Sequence, residues 1–237
     1  MDDRQQADSG LPDLQASLAA IIPGARLEPT LLPGGHRLAL HLLNADFPRD
    51  ALAPEVMRRV MNNPLYWVFC WASGQVLARW LLARPTLVAN RRVLDFGCGS
   101  GVVGIAAKLA GAAQVIACDI DPLARAAARA NAELNAVELT LCEDFYAVEG
   151  PVDVILVADV LYDRANLVWL DRLSACAGAV VIADSRVKDF THPRFRQLAA
   201  QSSYTLPDLD ESAEFRDVRI YGTDAAHALL AESPDTP

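Results

Sequence analysis

The clearest chemistry lies in VLDFGCGSG, where Asp95, Gly97, Gly99 and Gly101 follow one another, and in QVIACD, which ends on Asp119. An acid followed by alternating glycines lets a backbone lie flat against a ligand. An acid closing the next apolar run can accept the hydroxyls of a ribose. The spacing therefore points to a nucleoside-bearing cofactor, and two cofactors compete for it. Gly99, Gly101 and Gly104 satisfy the GxGxxG spacing of a dinucleotide site. A pyrophosphate, however, needs the positive end of the following helix, and Asp95 brings a carboxylate near that position. A carboxylate there suits S-adenosylmethionine, which carries an ammonium and a sulfonium but no phosphate. Asp95 would hold the ammonium directly or through water, and Asp119 the ribose. The simpler role for Asp95 is to cap the turn, with the glycines only allowing close packing.

These residues need a strand, a tight turn and a helix to place them, and the chain supplies that pattern repeatedly. Strands are expected at 92–96, 114–118, 137–142, 152–158 and 179–184, with helices at 101–110, 122–134 and 164–176. Short apolar runs alternating with helical segments imply a parallel sheet covered on both faces. SYTLPDL and FRDVRIYG could close it as an antiparallel edge. Upstream, helices are expected at 11–22, 53–61 and 73–82. RLEPTLL and HRLALHLL read as two strands around Pro33-Gly34-Gly35. The expected fold is thus α/β, a Rossmann-like, seven-stranded, mostly parallel sheet with an N-terminal helical and hairpin extension. Its boundaries are a disordered 1–10, an extension over 11–85, a cofactor-binding core over 86–231 and a loose tail over 232–237.

The 237 residues are long enough for a full α/β core, and 52% hydrophobic with 22% charged fits a globular enzyme. A formal net charge of −9 disfavours a nucleic-acid partner. Five cysteines without a CxxC pair, and four histidines without ligand spacing, give no metal site. Buried free thiols, an N-terminus without a signal core and no run near the ~18 apolar residues of a membrane span suggest a cytoplasmic monomer.

The Asp95–Gly101 turn with Asp119 resembles motif I of the seven-strand S-adenosylmethionine-dependent methyltransferases. That class implies a strand order of 3-2-1-4-5-7-6 with the seventh strand antiparallel. ADVLY at 158–162 resembles the D-x-x-Y motif of the family-16 protein lysine methyltransferases. FCWASGQVLARWLL (69–82), CDIDPLARAAARANAELN (118–135) and IADSRVKDF (182–190) extend the likeness to the electron transfer flavoprotein β-subunit lysine methyltransferases. The chain departs from that family at Ala72, which stands where relatives have proline, and near the middle of DSRVKDF.

The resemblance implies protein-lysine methylation, with the electron transfer flavoprotein β subunit as substrate. A lysine ammonium must lose a proton before it attacks. Asp159, at the end of the fourth strand of the core, is expected to hold the amine, and Tyr162 to wall the acceptor channel. The plainer role for Asp159 is a helix-start or turn acid, and Asp163 serves equally well as the N-cap of the next helix. Only the resemblance favours Trp71 as a contact to the cofactor's methionine end; Trp67 belongs to core packing. Asp144 and Phe145 follow the third core strand, where adenine would be met, and Ala158 would touch the cofactor by backbone. Arg125 and Arg129 read as a solvated face. Arg186, Lys188, Arg194 and Arg196 cluster where an acidic partner could dock. A small-molecule or protein N-terminal amine acceptor and an NAD-dependent oxidoreductase stay open as alternatives.

Overall fold

The structure, a computed structural model, describes residues 10–34, 37–47, 54–62, 64–161, 164–187, 190–209 and 211–231. Tyr162, Asp163, Lys188, residues 1–9 and the tail 232–237 lie outside the described residues. In chain order come α1 (Leu11–Ile21), the hairpin β1 (Leu27–Leu31) and β2 (Ala39–Leu43), α2 (Pro54–Asn62) and α3 (Ala72–Leu82). Then β3 (Arg92–Phe96), α4 (Val102–Leu109), β4 (Gln114–Cys118), α5 (Pro122–Leu134) and β5 (Thr140–Cys142) alternate. The chain closes with β6 (Val154–Ala158), α6 (Val168–Cys176), β7 (Ala179–Asp184), β8 (Phe195–Ser202), β9 (Asp217–Thr223) and α7 (Asp224–Ala231).

The large sheet has the order β5-β4-β3-β6-β7-β9-β8. Strands β3 to β7 are parallel, and β9 runs antiparallel between β7 and β8. Counting from β3, this is the 3-2-1-4-5-7-6 order expected of the methyltransferase class. Alternation along each strand splits the core. Val93, Val115, Leu156 and Val181 pack with α3 and α4, whereas Leu94, Ile116, Ile155 and Ile182 pack with α6.

Helix α3, within the extension expected to pack on the core, lies on the sheet, with nine of its residues buried against α4 and the strands. Its period-3.6 apolar face, not its place before the first core strand, decides where it packs. The hairpin is tied to the core by polar side chains. Asn131 and Asn135 on one face of α5 accept from the backbone amides of His41 (2.7 Å) and Ala39 (3.1 Å). Asn131 also donates to the Ser100 carbonyl at 2.8 Å, so one fully buried amide joins hairpin, helix and glycine turn.

SYTLPDL is not a strand; the edge strand is β8, FRQLAAQS, which pairs with β9 through a register shift between Gln197 and Ala199. An edge strand faces solvent along most of its length, so its polar composition hid the alternation that marks a buried strand. Residues 203–209 make a single bridge instead, between Leu206 and Cys70. The expected strand 137–142 shortens to β5 at the opposite edge.

Candidate active site

The glycine turn sits where β3 hands over to α4. Gly101 caps α4 with φ of 80°, a left-handed conformation open to glycine at little cost. A Cβ there would stand 2.9 Å from the Ala128 Cα, so the turn also presses on α5. Gly99, with φ of 51°, is different: a Cβ there would meet nothing within 4 Å. Gly97 packs on Val160, whose Cγ2 lies 2.8 Å from where a Cβ would be, which brings the glycine turn against the segment after β6. Of the three glycines, Gly99 alone borders open space where a ligand could lie.

Asp119 ends β4 beside this opening. Its carboxylate accepts from the amides of Gly99 and Asp121, both at 3.0 Å, and partial burial raises its pKa. Ile120 follows with 89% of its surface exposed, an apolar platform next to Asp119 that sequence reasoning missed. Arg125 is not simply solvated. It donates to the carbonyls of Asp119 (2.7 Å) and Ile120 (3.2 Å) and pairs with Glu143, so it fixes the loop carrying both residues. Its periodicity marked an outward face, but the chain bends back over the first turn of α5. Arg129 is exposed.

Asp95 lies beneath the turn rather than at its mouth. It is 2% exposed, and its Oδ2 accepts from the Gly104 amide in the first turn of α4 at 2.8 Å. Burial pushes its pKa up to about 7. The carboxylate caps α4 from below. A buried acid so close to that helix N-terminus is unfavourable to a pyrophosphate.

Asp144 and Phe145 follow β5, as expected. Asp144 spends one oxygen on the Tyr146 amide at 2.9 Å. Phe145 joins Phe96, Tyr146 and Trp169 in a cluster with ring centroids 4.9–5.9 Å apart. Ala158 ends β6 half-buried. The polypeptide turns sharply after it, and Asp159 takes φ of 54°. A non-glycine residue in the left-handed region is strained, and such strain gathers where side chains must be aimed. The turn sends its Oδ2 to the amide of Gly74 in the first turn of α3, 3.0 Å away. The buried Ser73 hydroxyl approaches the same carboxylate without completing a well-formed hydrogen bond. Burial first, and the nearby Asp184 carboxylate second among the raising influences, push Asp159 up to about 7.

Trp71 is the residue before α3 and is half-buried; its indole nitrogen donates to the Tyr66 carbonyl at 3.0 Å. Its ring stacks near Phe69 and Tyr66. Together with Phe47, Pro207 and Leu209 these line an apolar cavity of about 590 Å³. Trp67 is 1% exposed in the core between α1, the hairpin and α5. Of the expected basic cluster, Arg186 is bonded to Glu211 and Arg196 lies 3.0 Å from Asp224. Among the described residues no cluster of His, Cys, Asp or Glu could hold a metal ion, and no helix is long and apolar enough to cross a membrane.

The site thus joins an open glycine turn and the Asp119 carboxylate, on one side, to the strained Asp159 bonded to the first turn of α3 on the other. The family profile of the ribosomal protein L11 methyltransferases (PrmA) matches residues 80–171, which hold the turn, Asp119 and Asp159. A ribosomal protein L11 methylase from Lactobacillus delbrueckii subsp. bulgaricus matches 64% of this chain and 78% of its own at 22% identity, with a TM-score of 0.49. The electron transfer flavoprotein beta subunit lysine methyltransferase of Danio rerio is 39% identical over 60% of this chain and 59% of its own length. Its Xenopus laevis counterpart is 34% identical over 82% of this chain and 89% of its own length. Identity of 34% over that share of both chains makes this chain a member of the electron transfer flavoprotein beta subunit lysine methyltransferase family, a group of S-adenosylmethionine-dependent enzymes.

Proposed function

We propose that this chain methylates lysine side chains of an electron transfer flavoprotein β subunit, with S-adenosylmethionine as donor. The observation that carries the substrate is the 34% identity across 89% of the Xenopus laevis relative, because the L11-type match stops at residue 171 and leaves β7 to β9 unaccounted for. The open space over Gly99, the Asp119 carboxylate and the exposed Ile120 fit an adenosyl group: a backbone that admits close approach, an acceptor for hydroxyls and an apolar face. When bound, the donor supplies a methyl carbon on a sulfonium, whose C–S electrons leave with sulfur as an amine nitrogen bonds to carbon.

The chain's own residues then prepare the amine. A free lysine ammonium has a pKa near ~10.4, so at neutral pH it needs a proton acceptor. Asp159, poised near 7, takes the Nζ proton: an N–H bond breaks, an O–H bond forms, and the nitrogen keeps its lone pair. Its fixing to Gly74 aims the carboxyl from a rigid helix end. Trp71 and Phe69, in the segment leading into the same helix, line an apolar cavity that could receive the hydrocarbon stem of a lysine.

The test is transfer of radiolabelled methyl to purified electron transfer flavoprotein, with ribosomal protein L11 as a second acceptor and mass spectrometry to locate the lysine. Asp119→Ala is expected to lose both S-adenosylhomocysteine binding and turnover. Asp159→Ala keeps binding and loses turnover. Label entering L11 but not the flavoprotein overturns the substrate assignment, and normal methylation by either variant overturns the site.

A further inference from the structure

Asp184 is the last residue of β7, 2% exposed, and plays no part in the chemistry described so far. Its Oδ1 accepts from the amides of Arg186 and Val187, each at 2.7 Å, and so shapes the loop after the strand. Its Oδ2 is buried with no well-formed hydrogen bond. A buried carboxylate oxygen left without a partner is costly, of the order of 1–3 kcal/mol or more for a charged group, and calls for an explanation.

Its neighbour supplies one. Ala158 pairs with Ala183 in the parallel β6–β7 ladder, and the Asp159 amide donates to the Ala183 carbonyl at 3.2 Å. The two acids are therefore the next residues along adjacent strand ends. The Leu161 amide, two residues past Asp159, also approaches Asp184, so the strained turn lies against this carboxyl. We infer that Asp184 is a positioning residue for methyl transfer: buried one strand away from Asp159, it couples to that carboxyl so that the two bind one proton between them at neutral pH. This rests on the reading of Asp159 as the proton acceptor.

The surroundings fit a coupled pair. From α3, Gly74 and Ser73 face Asp159, and the buried Cys70 thiol precedes that helix. From the loop after β7, Arg186 lies near both carboxyls but is held by Glu211 and sits 3.9 Å over the Phe215 ring. From β9, Tyr221 feels Asp184 on one side and Arg219 on the other. Two like charges do not both ionise readily where the described cations beside them are already engaged, Arg186 by Glu211 and Arg219, opposite Asp184 in the β7–β9 ladder, by Tyr221. Coupling of this kind keeps one carboxyl ready to exchange a proton with an ammonium near neutral pH.

The experiment is a pH profile of kcat and kcat/KM for the full chain and for Asp184→Asn, whose side-chain oxygen can still accept from Arg186 and Val187. Removing the charge should let Asp159 ionise more easily and move the acidic limb of kcat down by about one pH unit or more. S-adenosylhomocysteine affinity should be unchanged. A uniform fall in kcat with the limb unmoved would show a purely structural role and overturn the inference. A second measurement holds even if the variant does not fold. Carboxyl ¹³C resonances of the wild-type protein, assigned by difference with Asp159→Asn, should show Asp159 titrating in two coupled steps. A single step in the ordinary carboxylate range overturns the pairing. If the wild-type chain methylates no lysine, the proposed function fails while this titration still decides the pair.

Discussion

The pair Gly99→Ala and Gly101→Ala separates binding from packing within one turn. Both residues hold left-handed backbone, which costs an alanine roughly 1–2 kcal/mol. At Gly101 the new methyl would also lie 2.9 Å from the Cα and Cβ of Ala128, atoms of a helix that cannot swing aside. Overpacking of this kind adds about 1–3 kcal/mol, for a total of about 2–5 kcal/mol. At about 2–4 °C per kcal/mol for a chain of this size, Gly101→Ala should lower Tm by about 4–20 °C. Gly99→Ala meets no atom within 4 Å and should lose only the backbone term, about 2–8 °C. Its methyl instead enters the opening beside Asp119 and should weaken S-adenosylhomocysteine binding by about tenfold or more, ~1.4 kcal/mol. Thermal and urea unfolding followed by circular dichroism, with titration calorimetry of S-adenosylhomocysteine, measure both quantities. Equal stability losses in the two variants, or Gly99→Ala binding with wild-type affinity, would refute the division of roles.

Arg125→Ala should weaken S-adenosylhomocysteine binding several-fold, about 1 kcal/mol, because two carbonyl bonds holding the Asp119–Ile120 loop are lost. Glu143→Gln removes only an exposed ion-pair partner and should change binding and stability by less than about 0.5 kcal/mol; a larger effect for Glu143 than for Arg125 would reverse the argument. For Asp95 the folded pKa of about 7 lies above the unfolded value near ~3.9, so its contribution to stability is full below about pH 4 and is lost as pH rises through about 7. Asp95→Asn, which can still accept from Gly104, should gain stability relative to wild type across that window; urea midpoints at pH 4 and pH 7.5 that keep a constant difference would contradict it.

Much of the fold is legible in the chain itself, and the places where it is not share a cause. Strands β3, β4, β6 and β7 are short apolar runs because both of their faces are covered, so composition alone marks them. Strand β8 carries Arg196, Gln197 and Gln201 on a solvent-facing edge, and its pairing with β9 comes from hydrogen bonding that no local pattern announces. At the site, Gly99 and Asp119 stand where the spacing put them. That Asp95 lies beneath the turn and caps α4 was not legible, because spacing along a strand says nothing about which side of the turn its side chain reaches. Gly74 was passed over because it meets Asp159, far along the chain, only when the sheet assembles; Arg125, read as solvated, turns back onto the nearby Asp119 and Ile120 carbonyls, a local bend that helical periodicity does not register.

By itself, then, the amino-acid sequence determined the order of the elements, the acid–glycine turn with its ribose acid, and the kinship of the segment around Asp159. These depend on neighbours along the chain, where backbone preference and the alternation of apolar residues act directly. The tertiary structure alone decided that Asp95 caps α4, that Asn131 ties the hairpin to the turn, and that Asp159 and Asp184 end adjacent strands. Parallel strands join residues far apart in sequence, and burial first, with the Asp184 carboxyl nearby, rather than the identity of the acid, sets how Asp159 holds its proton.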